Sequence, residues 1–300
     1  MKNVLVTGGT VFVSRYVAEY YVKKGFTVYV LNRGSRPQSE GVHLIQADRN
    51  DPGDALKGIH FDAVFDVTAY TGEHVNRLLD ALSSFDEYIL ISSSAVYPET
   101  ERQPFTEETP VGENKYWGKY GLGKIEAEAA LFARVPDAYS LRPPYIYGPM
   151  NNVYRESFIF ECMQKERKLY LPKNSSMQLQ FYHVEDLCRF MDLILEKKPA
   201  QHIFNVGNRE TISVLDWVQL CCLLIGREPE IVSVDSPVDQ RSYFSFSSYE
   251  YCLDVSKQDA LLPAEKPLEE GFQESLEWYL KNPDAIRRRP YMDYIDEHFA

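Results

Sequence analysis

The sequence predicts an α/β protein, a doubly wound parallel sheet followed by a smaller C-terminal part, and three observations carry that expectation. Short apolar runs recur with helical stretches between them through the first half of the chain. The first two runs bracket a glycine turn, Thr7 Gly8 Gly9 Thr10. From about residue 146 the alternation gives way to helices interrupted by loops.

The opening unit sets the rest. An apolar run, Val4 to Val6, enters the turn, a helical stretch spans Val11 to Lys24, and a second run covers Thr27 to Leu31. Strand, glycine turn, helix and strand in this order form the Rossmann-type βαβ unit that holds a dinucleotide. Glycines let backbone N–H groups approach a pyrophosphate, and the helix N-terminus adds partial positive charge there. Two positions depart from a Gly-x-x-Gly-x-x-Gly spacing: after Gly8, Val11 takes the second place and Ser14 the third. The second governs approach to the pyrophosphate and the third governs packing of helix on strand, so the departure bears on both. At the end of the second run, Asn32 and Arg33 stand where an acidic residue would receive ribose hydroxyls. Arginine there suits a 2'-phosphate, which favours NADP over NAD.

A third strand is expected from Val42 to Ala47, ending at Asp48 Arg49. Asp51 as N-cap with Pro52 behind it predicts a short helix stopped by Gly58. A fourth strand, Ala63 to Val67, runs into Thr68 Ala69 Tyr70, and a helix from about Glu73 to Ser83 follows. The fifth strand, Tyr88 to Ile91, ends in Ser92 Ser93 Ser94. Parallel sheets bind ligands at the carboxyl ends of their strands, which directs attention to Asp48, Thr68 and the serines. Residues 98–114 read as a proline-punctuated loop, and a helix from about Tyr116 to Arg134 succeeds it. Residues 1–146 with 176–206 are expected to form the dinucleotide-binding domain. Residues 147–175 and 207–300 are expected to form the substrate-binding domain.

The helix after the loop carries Tyr120 and Lys124, and an i, i+4 spacing sets phenol and ammonium on one face. Tyr20 and Lys24 share that spacing but sit near the far end of the first helix, where packing is the expected role. Tyr120 lies on the element after the serine cluster, so the two can meet across a cofactor cleft. A free phenol titrates near 10, and a base acting near neutrality needs a cation beside it to favour the phenolate. A serine hydroxyl can hold the reacting oxygen while the proton moves.

These residues resemble those of the extended short-chain dehydrogenases/reductases, the group of UDP-galactose 4-epimerase and related nucleotide-sugar enzymes. Besides the turn and Tyr120 to Lys124, the similarity includes Leu141 Arg142 Pro143 Pro144 Tyr145 Ile146 Tyr147 Gly148 Pro149, Phe181 to Leu187, and Phe204 Asn205 Val206 Gly207. The resemblance implies Tyr120 as acid/base, Lys124 as its electrostatic partner and ribose ligand, and Ser93, four residues before the tyrosine of Val96 Tyr97, as the third member. It implies cofactor contacts from Gly8, Thr10, Phe12, Val13, Asn32, Arg33, Asp48, Arg49, Thr68, Ala69 and Pro143, and a structural His183. Related 4,6-dehydratases follow their catalytic threonine with Asp and Glu, where this chain has Ser94 and Ala95. The resemblance thus implies reversible hydride transfer on a nucleotide-sugar or similar polyol, by epimerisation or by NADPH-dependent reduction. The first turn also resembles a branch with plant chloroplast RNA-binding relatives, which brings in a non-catalytic alternative.

Composition narrows the partners. A net charge of −12, from 44 acidic against 32 basic side chains, opposes nucleic acid binding. The run Arg287 Arg288 Arg289, beside Asp284, Asp293 and Asp296, reads as a solvated, internally balanced tail. The cysteines Cys162, Cys188, Cys221, Cys222 and Cys252 and the scattered histidines lack metal-ligand spacing, so reduced thiols and no metal are expected. With no apolar run near the ~20 residues of a membrane span, a cytoplasmic protein is expected, and a homodimer is compatible with that.

Overall fold

The computed structural model describes residues 2–299. Its strands, in chain order, are β1 Asn3–Thr7, β2 Thr27–Asn32, β3 Val42–Gln46, β4 His60–Asp66, β5 Ser84–Ile91, β6 Tyr139–Arg142 and β7 Tyr145–Tyr147. They continue with β8 Leu169–Pro172, β9 Gln178–Leu179, β10 Phe181–His183, β11 Ile203–Asn205, β12 Ile212–Ser213 and β13 Ile231–Val234. The helices are α1 Phe12–Lys23, α2 Gly72–Ala81, α3 Lys119–Arg134, α4 Glu156–Gln164, α5 Val184–Lys197, α6 Val214–Leu224, α7 Ser256–Asp259, α8 Leu268–Lys281 and α9 Tyr291–His298.

Seven strands form one parallel sheet in the order β11-β6-β5-β4-β1-β2-β3. The order reverses between β1 and β4, which opens the crevice where doubly wound sheets take ligands. Alternate residues of the same strands feed opposite faces. Val4, Val6, Val28, Val30 and Phe65 pack on α1 and α5 through Val17, Tyr21, Phe190 and Met191. Leu5, Leu31, Val64 and Leu90 pack on α2 and α3 through Val75, Leu78, Ala127 and Leu131. These side chains are essentially inaccessible, each contributing about 1.5–3 kcal/mol of burial. A separate cluster, from Tyr147 to Ile295 and centred on Phe158, Trp217, Phe246 and Phe272, forms the C-terminal part.

Several elements differ from the sequence expectation. Residues 51–58 form successive turns rather than a helix, with Ala55 N–H donating to Pro52 O and Lys57 N–H to Asp54 O. Asp-Pro chemistry suits a turn as well as a helix start, and no longer apolar face follows to extend it. Ile231–Val234, in a stretch expected to be irregular, is a strand because it pairs in parallel with β8. Within 176–206, only β11 joins the large sheet, whereas β10 pairs with β7. The thiols are all free, four of them buried.

Candidate active site

The crevice between the sheet's carboxyl edge and the C-terminal part is a cleft of about 1170 Å3. Val11, Phe12, Val13, Ser14, Thr68, Ser93, Tyr120, Lys124 and Pro143 line it from the sheet side. Of the other expected contacts, Gly8, Thr10, Asn32, Arg33, Asp48, Arg49 and Ala69 lie outside this lining.

The turn between β1 and α1 is built for close approach. Gly8 and Gly9 take φ of +94° and +88°, and a Cβ on Gly8 would stand 2.8 Å from Ser14 Oγ. Ser14 is therefore accommodated against a bare glycine, and its hydroxyl donates to Val11 O at 2.9 Å. Phe12 opens α1 at φ +37°, a conformation that costs an L residue about 1–2 kcal/mol and that sequence reasoning did not foresee. No side chain caps α1, and no acidic residue stands in its first turn. The N–H groups of that turn are left for an anion, as a pyrophosphate requires. Asn32 braces the turn from β2, donating through Nδ2 to Gly8 O at 2.7 Å. Arg33 beside it is exposed.

Asp66, Arg49, Thr68, Thr7 and Tyr88 form a buried network at the β4 end. Asp66 is fully buried and accepts from both Arg49 terminal nitrogens at 2.9 and 3.1 Å, and from Thr7 and Tyr88 at 2.7 Å each. These partners outweigh desolvation and hold its carboxyl below the usual range. Arg49 also reaches Thr68 Oγ1 at 2.7 Å, so its charge is committed within the protein. Asp48 caps its own turn, accepting from Asn50 N–H at 2.8 Å.

The chemistry-bearing trio meets on α3. A Cβ on Gly121 would stand 2.3 Å from Ala95 O, and one on Gly123 would stand 2.1 Å from Tyr70 O. The two glycines let α3 lie hard against the ends of β4 and β5, which brings Tyr120 to hydrogen-bonding reach of Ser93. Tyr120 is 41% exposed and lines the cleft. Desolvation raises its pKa, and the Ser93 hydrogen bond opposes the rise. Lys124 is 2% exposed and donates to Ala69 O and Ile91 O at 2.7 Å each. Burial brings its ammonium down to about 8, with Asp66 and Glu128 supporting the charge and Arg49 opposing it. Its Nζ stands 5.1 Å from the ring centre of Tyr70 and 5.9 Å from that of Tyr120.

Glu128 extends the same helical face by one more turn. Its carboxylate takes Arg142 Nε at 2.9 Å and NH2 at 2.5 Å, and Ser140 Oγ at 2.9 Å. Arg142 in turn donates to the hydroxyl of Tyr97. Ser94 N–H donates to Pro143 O at 2.9 Å. The network ties the serine cluster, α3 and the residue before Pro143 into one unit.

The opposite wall carries residues that sequence reasoning did not assemble. Arg155, Arg241, Arg287 and Arg289 face the cleft with Lys173, Tyr145, Tyr251 and Phe246. Arg287 and Arg289 thus line the cleft rather than forming a balanced tail. Arg288 bonds Glu161 at 2.9 Å, and Arg287 N–H anchors the segment on Asn152 O.

Away from the cleft, Tyr20 and Lys24 both donate to Asp192 at 2.5 Å, joining α1 to α5. His183 is buried, accepting from Glu185 N–H at 3.3 Å, with its other nitrogen 3.3 Å from Glu274. Although His183, Glu185 and Glu274 offer clustered ligand atoms, Lys266 places its ammonium 2.5 Å from both carboxylates.

A strand-turn-helix that frees N–H groups for a pyrophosphate, with serine, tyrosine and lysine at the sheet's carboxyl edge, defines a dinucleotide-binding enzyme scaffold. A model described as the NAD dependent epimerase/dehydratase family matches residues 4–207, and the chain belongs to that family. Among curated proteins, it is 30% identical to the chloroplast stem-loop binding protein of 41 kDa b of Arabidopsis thaliana, covering 91% of this chain and 78% of that one. It is 27% identical to a trifunctional UDP-glucose 4,6-dehydratase/UDP-4-keto-6-deoxy-D-glucose 3,5-epimerase/UDP-4-keto-L-rhamnose-reductase of the same plant, covering 71% of this chain but 32% of that longer relative. The fold matches a UDP-glucose 4-epimerase of Thermotoga maritima solved with UDP-glucose, with TM-score 0.76, 20% identity, and 94% and 99% of the two chains covered. It also matches a dTDP-glucose 4,6-dehydratase of Bacillus anthracis solved with NAD, with TM-score 0.77, 18% identity, and 96% and 99% covered. No helix among the described residues is long and apolar enough to cross a membrane.

Proposed function

We propose that the chain is an NAD(P)-dependent enzyme that moves a hydride reversibly at a carbinol carbon of a nucleotide-activated sugar, with epimerisation through a transient ketone as its reaction. The observation that carries this reading is the convergence of Ser93, Tyr120 and Lys124 on one wall of a cleft whose other wall is cationic. Phe12, Val13 and Ser14, with Lys124 and Pro143, would hold the dinucleotide. Bound and oxidised, it supplies a hydride acceptor and a fixed positive charge.

Ser93 holds the substrate oxygen, and Tyr120 removes its proton. Lys124, with its Nζ 5.9 Å from the ring centre of Tyr120, is the cation that would favour the phenolate. Arginines on the far wall meet the phosphates, whose anionic oxygens match the guanidinium fork. Of the two cofactors we propose NADP, because uncharged Asn32 ends β2 and exposed Arg33 follows it.

An NADPH-dependent reductase would use the same three residues, and the Arg33 position favours it as the second reading. An RNA-binding role, which the printed name of the Arabidopsis relative suggests, fits less well. Arg155, Arg241, Arg287 and Arg289 line the cleft, and the chain's net charge of −12 repels a phosphate backbone. Incubation with a panel of UDP-sugars and either cofactor should interconvert a pair of epimers without net change in the reduced-nicotinamide absorbance. Stoichiometric consumption of NADPH would select the reductase. Failure to turn over any sugar, with no calorimetric response to NAD, NADH, NADP or NADPH, would reject both.

A further inference from the structure

We propose that Tyr70 is a positioning residue of the reaction, its ring face holding the Lys124 ammonium charged and in place beside Tyr120. The inference rests on the reading above, in which Lys124 favours the Tyr120 phenolate, and adds a residue outside the set of serine, tyrosine and lysine.

Lys124 is a buried cation without a counter-ion of its own. It is 2% exposed, and the two carboxylates that act on its charge are spent elsewhere, Asp66 on Arg49 and Glu128 on Arg142. No ion pair of Lys124 occurs among the described residues, and its hydrogen bonds go to the neutral carbonyls of Ala69 and Ile91. The charged and titratable groups around it come from every neighbouring element: Asp66 closes β4, Arg49 follows β3, His74 stands in α2, and Tyr120 and Glu128 lie on α3. An ammonium so placed gains from a further source of negative potential, which an aromatic face supplies.

Tyr70 presents the nearer of two such faces. Lys124 Nζ stands 5.1 Å from the ring centre of Tyr70 and 5.9 Å from that of Tyr120, and the two rings are 6.2 Å apart at an interplanar angle of 51°. Both separations fall within the ~6 Å over which a ring quadrupole attracts a cation. An exposed tyrosine by itself means little. This one is 49% exposed and lines the cleft, so burial does not fix its ring.

The backbone fixes it instead. Tyr70 N–H donates to His74 Nδ1 at 3.1 Å in the first turn of α2, and the two rings meet edge to face with centres 6.3 Å apart. His74 has to be neutral to accept that bond, and its burial, with Arg49 nearby, lowers its pKa accordingly. On the other side, a Cβ on Gly123 would come within 2.1 Å of Tyr70 O, so the glycine before Lys124 admits this segment to α3. Residues 69 and 70 therefore grip Lys124 twice, once by a carbonyl and once by a ring.

An NMR titration of the cofactor-free protein carrying isotope-labelled lysine tests the assignment, with the Lys124 signal identified by its loss in Lys124→Met. Wild type should titrate at about 8. Tyr70→Leu keeps an apolar side chain but no ring face, so Lys124 should titrate lower by about 0.5 unit or more. Tyr70→Phe keeps the face and should stay within about 0.2 unit of wild type. No shift in Tyr70→Leu, or an upward one toward the 10.5 of a free lysine, would overturn the inference, because the ring would then act only by excluding water. An equal fall in Tyr70→Phe would assign the effect to the hydroxyl and overturn it as well. Tyr70→Met supplies a second variant without a ring should Tyr70→Leu not fold. None of these measurements uses substrate, so the two readings fail separately: turnover absent on every sugar removes the reaction, and an unmoved Lys124 removes the role of Tyr70.

Discussion

The two walls of the cleft differ in how they use their polar groups. On the sheet side, the buried carboxylates are answered from within the protein: Asp66 by Arg49, Thr7 and Tyr88, and Glu128 by Arg142 and Ser140. On the C-terminal side, Arg155, Arg241, Arg287 and Arg289 face the cleft without ion-pair partners. A saturated wall holds a fixed geometry, as proton transfer demands, and an unsaturated wall keeps its hydrogen bonds for a ligand. Substitutions on the first wall should change rate or stability, and those on the second should change affinity.

The largest expected effect tests the saturated wall at its working point. Tyr120→Phe removes the phenolic proton carrier and leaves the ring, so kcat should fall about 10² to 10⁴-fold with little change in KM. Steady-state kinetics on the converted sugar measures it. Wild-type turnover in this variant would remove Tyr120 from the mechanism.

Next comes Asp66→Asn, which leaves the buried Arg49 guanidinium without its counter-charge. Removing one partner of a buried pair costs about 3–5 kcal/mol, to be read from urea unfolding. Arg287→Gln, exposed and unpaired, should stay within about 0.5 kcal/mol of wild type. Equal destabilisation by the two would erase the contrast between the walls.

Lys124 supplies a pH test of the same wall. Its folded value of about 8 lies below the 10.5 of a free lysine. Between those values the unfolded chain binds more protons, so stability from this group rises with pH across that window. The stability of wild type minus that of Lys124→Met should grow by about 1–3 kcal/mol from pH 8 to 10.5 in cofactor-free protein. A flat difference would mean that the ammonium is not desolvated.

The same division explains what could be read without coordinates. Apolar runs of strand length, the Tyr120 to Lys124 spacing and the glycines between them are local patterns, and local patterns hold the sheet wall together. The turns at 51–58 were misread because Asp51 Pro52 satisfies two local structures equally, and β13 because only its pairing with β8 makes it a strand. The arginines of the second wall come from separate segments, around residues 155, 241 and 287–289. No spacing rule joins them, and Arg287 to Arg289 read as a solvated run until Asn152 and Glu161 fix their direction.

The smallest effect concerns the glycine turn. Val11 precedes α1 with φ −139° and ψ 134°, extended values open to any residue, so its side chain is not required by the backbone. It lines the cleft where a glycine would let the pyrophosphate approach. Ser14 is different, since its hydroxyl bonds Val11 O and its bulk is taken up by bare Gly8. Val11→Gly should therefore tighten cofactor binding about three- to tenfold, measured calorimetrically, at a stability cost of about 0.5–1 kcal/mol from the added chain entropy. Ser14→Gly should change affinity less than Val11→Gly does, because the Ser14 hydroxyl is already spent on Val11 O. Unchanged affinity in Val11→Gly would show that the N–H groups of Phe12 and Val13 already reach the ligand past the valine. The sheet wall would then be complete as it stands, glycine or not.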